Sequence, residues 1–518
     1  MTSSEYFIGI DIGTTGTKAA IFDLEGNQLA TAYEESKLYY PRVGWVEQKP
    51  EDFYTSSINT VREIVKKSGV DPKNVISIAF SGQMAGILAI DKNWNPVIPY
   101  DSWLDIRCKS YVDQLREKYA DLLIEVTGVP PTINHLPKAI WWKNERPEVF
   151  ERIYKFTVPA VYAAGKFAGL SGEEAFYDYT YITYTGLFDV RKMKWSDELC
   201  ETFGIPLDKL PRIVKPWEII GELQESVAEK CGLVKGIPIV AGAGDFTASC
   251  LGAGLTKAGL CLDVAGTASV FAATTGEVIP DKEHRTIVYA KSVVPELWIA
   301  HAYVSGGGLC LRWFRDNIAK HEKNLAKEVG KDPYQLLDEA ASKVTEGSEG
   351  IFFIPHLGGS VCPYNPRLRG VWLGLSWKHD TSHMYRAILE SIAYEYYHFA
   401  RIIKSLFKEI KLSEVRAVGG GSKSPLWCQI KADVLDIPYV LLNREEYGVL
   451  ALAAIGGYAV GALKDYIQTI NNWVKPVKKI EPRKSSHRKY QQYAEFYGEF
   501  LARIDELFRK HEELFKSA

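Results

Sequence analysis

The chain has 518 residues, 46% hydrophobic and 24% charged, with a formal net charge of −2. That length predicts two or more domains of roughly 100–200 residues each. The balanced charge argues against a nucleic-acid or anionic-membrane binder, and no run of about 18 apolar residues predicts a membrane span. Residues 1–6 are short and polar, so no signal peptide is expected. The eight cysteines are scattered and none forms CxxC, which predicts a cytoplasmic protein with free thiols and no zinc site.

Phe7 to Ile12 is apolar except for Asp11 and Gly9; a Gly13-Thr-Thr-Gly16 turn follows, then a second apolar run, Ala19 to Phe22. This reads as strand, tight turn, strand. Gly13 and Gly16 let the backbone bend and approach a ligand. Thr14, Thr15 and Thr17 add donors, Lys18 adds a positive charge, and Asp11 is a candidate for holding a divalent metal, directly or through water. The set suits a metal-bound polyphosphate. It is not GxxxxGK[ST], because residue 17 is Thr where Gly is required, nor GxGxxG, whose first Gly would fall on Asp11.

Helical spacing covers residues 50–68, and a buried strand, Val75 to Phe80, ends in Ser81-Gly-Gln-Met-Ala-Gly86. In Tyr100 to Arg107, Trp103, Asp105 and Arg107 alternate, so on an extended segment they share one face. An aromatic plate, a carboxylate and a guanidinium suit a sugar or polyol; a solvated edge strand with an Asp–Arg pair is the alternative. Residues 137–143 form an apolar helix face, and residues 172–218, rich in Tyr, Trp and Pro, look irregular, as a lid or substrate-shaping insertion would. Gly236 to Asp245 is a buried strand ending in a Gly-rich turn and one acid, with a helix starting at Phe246.

Gly259 to Phe271 repeats the opening pattern, with Asp263 near the place of Asp11 and Gly266-Thr267 near that of Gly13-Thr14. A repeat of about 250 residues predicts two similar domains, residues 1–250 and 251–518, each giving a hairpin to one nucleotide. A long amphipathic helix is expected over about 382–407. Val415 to Trp427 reads as strand, triple Gly and helix, whose amides suit an adenosine. Helical spacing returns from Tyr490 to Phe508, a final helix that packs in the core or back on the first domain.

These motifs resemble the FGGY carbohydrate kinases, the family of xylulokinase, gluconokinase and glycerol kinase, over nearly the whole chain. Gly370-Val-Trp-Leu-Gly-Leu375, seven residues, then His383-Met-Tyr-Arg-Ala-Ile-Leu-Glu390 fits the family's second signature at each defined position. The resemblance implies an α/β fold of two ribonuclease-H-like domains, as in the actin/hexokinase-type ATPases, around a cleft that closes on its substrates. It implies Asp245 as catalytic base and Asp11 as Mg²⁺ ligand. ATP would meet Gly13, Thr14, Thr15, Lys18, Gly266, Thr267, Gly420, Gly421, Ser424 and Gln429. The sugar would meet Gln83, Met84, Trp103, Asp105, Arg107, Asp245 and Phe246.

Ser81 to Met84, the Trp103-Asp105-Arg107 set and Phe353 to Gly359 look most like xylulokinases. The chain departs from them at Ala85, usually His; at Phe246, usually Asn or Gln; and at Ser360-Val-Cys362, usually Glu-Arg-Thr. His135 departs from the family's first signature, where Pro, Ser or Thr is expected. The expected reaction is ATP-dependent phosphorylation of a ketopentose such as D-xylulose to its 5-phosphate. Gluconate, a ketohexose, glycerol or another polyol is the alternative substrate; a non-catalytic sugar sensor or an actin-like ATPase is the alternative class. The expected partner is a small sugar or polyol, with no nucleic acid and no membrane, and a homodimer is left open.

Overall fold

The computed structural model describes residues 5–515; residues 1–4 of the polar lead lie outside the described residues. The Tyr6–Ile12 strand is buried apart from Tyr6 and Asp11, which explains its near-continuous apolar run. It pairs antiparallel with Gly16–Phe22 and parallel with Val75–Gly82. Gln28–Glu35 flanks the hairpin on one side, and Pro238–Gly244 and Ile219–Glu222 complete the six-stranded sheet on the other.

The second sheet repeats this plan around Leu260–Ala265. That strand pairs antiparallel with Ser269–Thr275, which pairs with Trp298–Val304, and parallel with Glu414–Val418, which pairs with Tyr439–Leu442. Val288–Lys291 and Pro476–Ile480 are its edges. The two sheets share a five-strand core of one order and one set of directions, the duplicated, actin-like architecture expected, and differ at their edges: Ile219–Glu222 precedes its neighbour in the chain, Pro476–Ile480 follows its own, and Val288–Lys291 is a seventh strand.

The repeat is not exact where it touches the chemistry. Asp11 lies two residues before Gly13, whereas Asp263 lies three before Gly266. Side chains alternate along a strand, so that single offset sends the two carboxylates to opposite faces. Asp263 is accordingly buried behind its sheet, paired with Lys431 (2.6 Å) and accepting a hydrogen bond from the Tyr396 hydroxyl (2.8 Å).

The Tyr447–Ala459 helix comes late in the chain yet packs on the Tyr6–Ile12 and Val75–Gly82 strands of the first sheet and on the Asp245–Gly252 helix. Glycines make this approach possible. A Cβ on Gly9 would stand 2.6 Å from Val449 O, and one on Gly252 would stand 1.9 Å from Tyr447 O. The final helix, Lys484–Phe515, packs on Thr381–Leu406 and Pro425–Leu435, beside the second sheet, and not back on the first as one expectation had it. Its buried hydroxyls Tyr490 and Tyr497 find acceptors there, in Glu390 (2.8 Å) and Glu395 (2.5 Å).

The stretch 172–218 is more ordered than its composition predicts. Phe176–Asp178 and Arg212–Val214 pair in parallel, and the 3₁₀ turn Tyr179–Thr185 wedges against Val288–Lys291 of the second sheet. No helix among the described residues is long and apolar enough to cross a membrane.

Candidate functional site

The site lies at the carboxyl ends of the parallel strands in both sheets, where open α/β sheets place ligands. In the first sheet the register decides which side chains meet. Lys18 stands opposite Asp11 across the hairpin, and Ser81 stands beside Asp11 on the parallel neighbour. Ser81 Oγ donates to Asp11 Oδ1 (2.7 Å), and Lys18 Nζ pairs with Glu446 Oε2 (2.5 Å) just before the Tyr447–Ala459 helix. Burial raises the Asp11 pKa, against the pull of Ser81 and Lys18. Pro238–Gly244, next to Ser81 and Gly82, ends by delivering Asp245 as the first residue of a helix. Burial and the charge of Asp11 push the Asp245 carboxyl up to about 8, against a short hydrogen bond from Phe246 N (2.6 Å).

A cavity of about 290 Å³ opens beside Asp245, walled by both lobes. Gln83, Met84, Trp103, Asp245 and Phe246 line it. Three of these tie the cavity to the Gly13–Gly16 hairpin or to the far wall. Thr14 Oγ1 donates to Gln83 Oε1 (3.1 Å) and accepts from Trp103 Nε1 (2.8 Å). The Phe246 ring lies tilted against His301 of the second sheet, 4.8 Å between centres; burial holds His301 neutral, and its Nε2 lies 3.4 Å from the Tyr184 hydroxyl.

Asp105 and Arg107 do not line this cavity. The Pro96–Asp101 strand ends before them and the chain turns, with Asp105 N donating to Ser102 O, so the expected common face does not form. Asp105 is fully buried, accepts from Val46 N (2.6 Å) and holds Arg107 (2.7 Å), which also binds Glu47 (2.6 Å). They form a buried ion-pair cluster that supports the Trp103 turn.

A second cavity, of about 460 Å³, lies at the end of the second sheet. Gly266, Thr267, Gly420, Gly421 and Ser424 line it, with Tyr334, Tyr385 and Trp427 as aromatic walls. A Cβ on Gly421 would stand 2.5 Å from the Trp427 ring, so the triple Gly keeps this floor open. Gln429 faces away from it, donating to Asp433 Oδ1 (2.9 Å) and Glu481 O (3.0 Å). Arg312 and Asp338 also line the cavity; the sequence reading passed over them, because neither belongs to a Gly-rich turn.

The fit to a divalent metal rests on Asp11. One of its oxygens is held by Ser81; the other faces Gly448, where an added Cβ would come 3.9 Å away. Among the described residues no three His, Cys, Asp or Glu side chains converge as a metal cage. That donor set suits Mg²⁺, which keeps most of its water and takes one or two carboxylates plus phosphate oxygens.

Two family models match the chain: the N-terminal domain of the FGGY family of carbohydrate kinases over residues 6–252, and its C-terminal domain over residues 262–460. The chain belongs to the FGGY family. This FGGY kinase is 30% identical to a gluconokinase of Bacillus subtilis (strain 168) over 494 residues, covering 95% of this chain and 94% of the relative. It is 27% identical to a xylulose kinase of Staphylococcus epidermidis, covering 95% and 96%. Among solved structures, a ligand-bound xylulose kinase from Lactobacillus acidophilus superposes with a TM-score of 0.89 at 24% identity, covering 98% of this chain and all of the other. A gluconate kinase from the same organism gives 0.89 at 23%, with the same coverage. The relatives thus divide between a sugar acid and a ketose, and the particular likeness to xylulokinase expected from the motifs does not separate from a likeness to gluconokinase.

Proposed function

We propose that this FGGY kinase transfers the γ-phosphate of ATP to a hydroxyl of a sugar or sugar acid held in the cavity between its lobes, with Asp245 as general base. The observation that carries the reading is the placement of Asp245: its carboxylate lines the cavity and follows the strand beside Asp11 and Ser81. The substrate hydroxyl gives its proton to Asp245 as its oxygen bonds to the γ-phosphorus, and ADP leaves with the electrons of the broken P–O bond. A carboxyl raised to about 8, once ionised, is basic enough to take that proton and close enough to neutral pH to give it up afterwards.

Phosphoryl transfer needs positioning and charge stabilisation more than covalent chemistry. Gly13, Thr14 and Thr15 on one side and Gly266 and Thr267 on the other supply main-chain and hydroxyl donors. Lys18 supplies a cation that ATP draws from Glu446. Mg²⁺, when bound at Asp11, offsets charge on the phosphates. Gly420, Gly421 and Ser424 take the adenosine; Gln83, Met84, Trp103 and Phe246 take the sugar. A ketopentose such as D-xylulose is supported by the Ser81 to Met84 and Phe353 to Gly359 motifs. A sugar acid is supported by a cation in the cavity wall, described below.

ADP release across ketopentoses, ketohexoses, aldonates, glycerol and other polyols tests the reading. Turnover that requires one of them, and falls about 10²–10⁴-fold in Asp245→Asn while substrate still binds, is expected. Sugar-independent hydrolysis would mark an ATPase; sugar binding without ADP would mark a sensor.

A further inference from the structure

We propose that Arg116 anchors a substrate carboxylate, so that the acceptor is an aldonate rather than a neutral ketose. This deepens the kinase reading above and rests on it. Arg116 sits on the Lys109–Lys118 helix and faces the same cavity as Asp245. Its Nη1 donates to Pro131 O (2.7 Å), and its guanidinium lies 4.5 Å from the centre of the Tyr364 ring, on the Ser360–Asn365 hairpin.

Among the described residues Arg116 is in no ion pair. Arg107, by contrast, lies between Asp105 and Glu47. The nearby carboxylate of Asp113 is exposed and does not bridge to it. Burial lowers the Arg116 pKa, yet a guanidinium stays charged at any physiological pH. A recessed cation without an anion is costly to keep and marks a place for one. With Nη1 engaged by Pro131 O, its Nε and Nη2 form a planar donor edge that matches a carboxylate in two parallel hydrogen bonds.

The cavity also sets the orientation. Arg116 and Asp245 are the two charged side chains among its lining residues. They come from different elements: Arg116 from the Lys109–Lys118 helix, held to Pro131 O, and Asp245 from the start of the Asp245–Gly252 helix. Asp245 repels a carboxylate and Arg116 attracts one. A sugar acid therefore lies with its carboxylate at Arg116 and its remote hydroxyl at Asp245, and the phosphate ends on the carbon farthest from the carboxyl group. Asn134, 5% exposed on the same wall with its Oδ1 unpartnered, is placed to hydrogen-bond the chain between.

The experiment measures ADP release with D-gluconate, with D-gluconamide, which has the same hydroxyls and no charge, and with D-xylulose. For the unaltered protein, kcat/KM for gluconate should exceed that for gluconamide and for xylulose by about 10- to 100-fold, the worth of a charged hydrogen bond. The phosphorylated product should carry its phosphate on C6, read by phosphorus–proton NMR. Arg116→Gln should lose gluconate efficiency by that factor more than gluconamide efficiency, mainly in KM, and Arg116→Lys should recover part of it. Equal use of gluconate and gluconamide, a preference for xylulose, or an equal loss on both substrates in Arg116→Gln would overturn the assignment while leaving the kinase reading intact. No ADP from any sugar would overturn both.

Discussion

As the proposed base, Asp245 is held under two opposing demands. Burial and Asp11 favour its proton, whereas catalysis needs the proton off before the hydroxyl arrives. The free enzyme is therefore expected to gain kcat/KM as pH rises, with a midpoint near 8 rather than in the ordinary carboxylate range, read from initial rates at constant ionic strength. Asp11→Asn removes the like charge and should move that midpoint down, whatever it does to the maximal rate. The same shift acts on stability. A carboxyl whose folded pKa lies above its unfolded value stabilises the fold fully below the unfolded pKa, and this contribution is lost as pH rises through about 8. Asn carries no charge at any pH. Asp245→Asn should thus melt higher than the unaltered protein at pH 9 and at nearly the same temperature at pH 4; an unchanged difference between the two pH values would contradict the burial argument.

At the scale of elements, the Tyr447–Ala459 helix shows how close packing fixes the site. Its start holds Glu446 against Lys18 and lays Gly448 beside Asp11. Gly252→Ala would drive a methyl into Tyr447 O, a backbone atom that cannot swing away, and overpacking of this kind costs about 1–3 kcal/mol. Gly448→Ala meets nothing nearer than Ser249 Oγ at 3.5 Å and is the matched control. Denaturant melts should show a loss for the first and little change for the second. The sequence made the strands and long helices legible, because their periodicity is local: the helix expected over 382–407 is Thr381–Leu406, and both Gly/Thr hairpins fold as read. Asp263 aligns near Asp11 in the sequence yet faces the other way, because one residue of register reverses a face and register is not visible in a single chain. The Tyr447–Ala459 helix is apolar all round, which announces burial without naming the sheet it joins. Arg116 passed unnoticed because a lone cation on an amphipathic helix looks like a solvated one until the fold places Tyr364 over it.

For the whole molecule, the two cavities are joined by structure and not by sequence. The cavity beside Asp245 has walls from both lobes, and the Gly13–Gly16 hairpin, proposed to meet phosphate, is hydrogen-bonded through Thr14 to Gln83 and Trp103, proposed to meet the sugar. On the proposed reading, nucleotide bridging Gly13 and Gly266 and sugar held between Gln83 and the Phe246–His301 contact would favour the same arrangement of the lobes, and such coupling must be reciprocal. Calorimetric titration should find that a non-hydrolysable ATP analogue with Mg²⁺ tightens sugar binding about 5- to 150-fold, and that saturating sugar tightens the analogue by the same factor. Trp103→Phe keeps the ring and removes the donor to Thr14, so it should weaken the coupling more than it weakens the binding of either ligand alone. Independent binding in the unaltered protein would mean that the lobes do not close on their substrates.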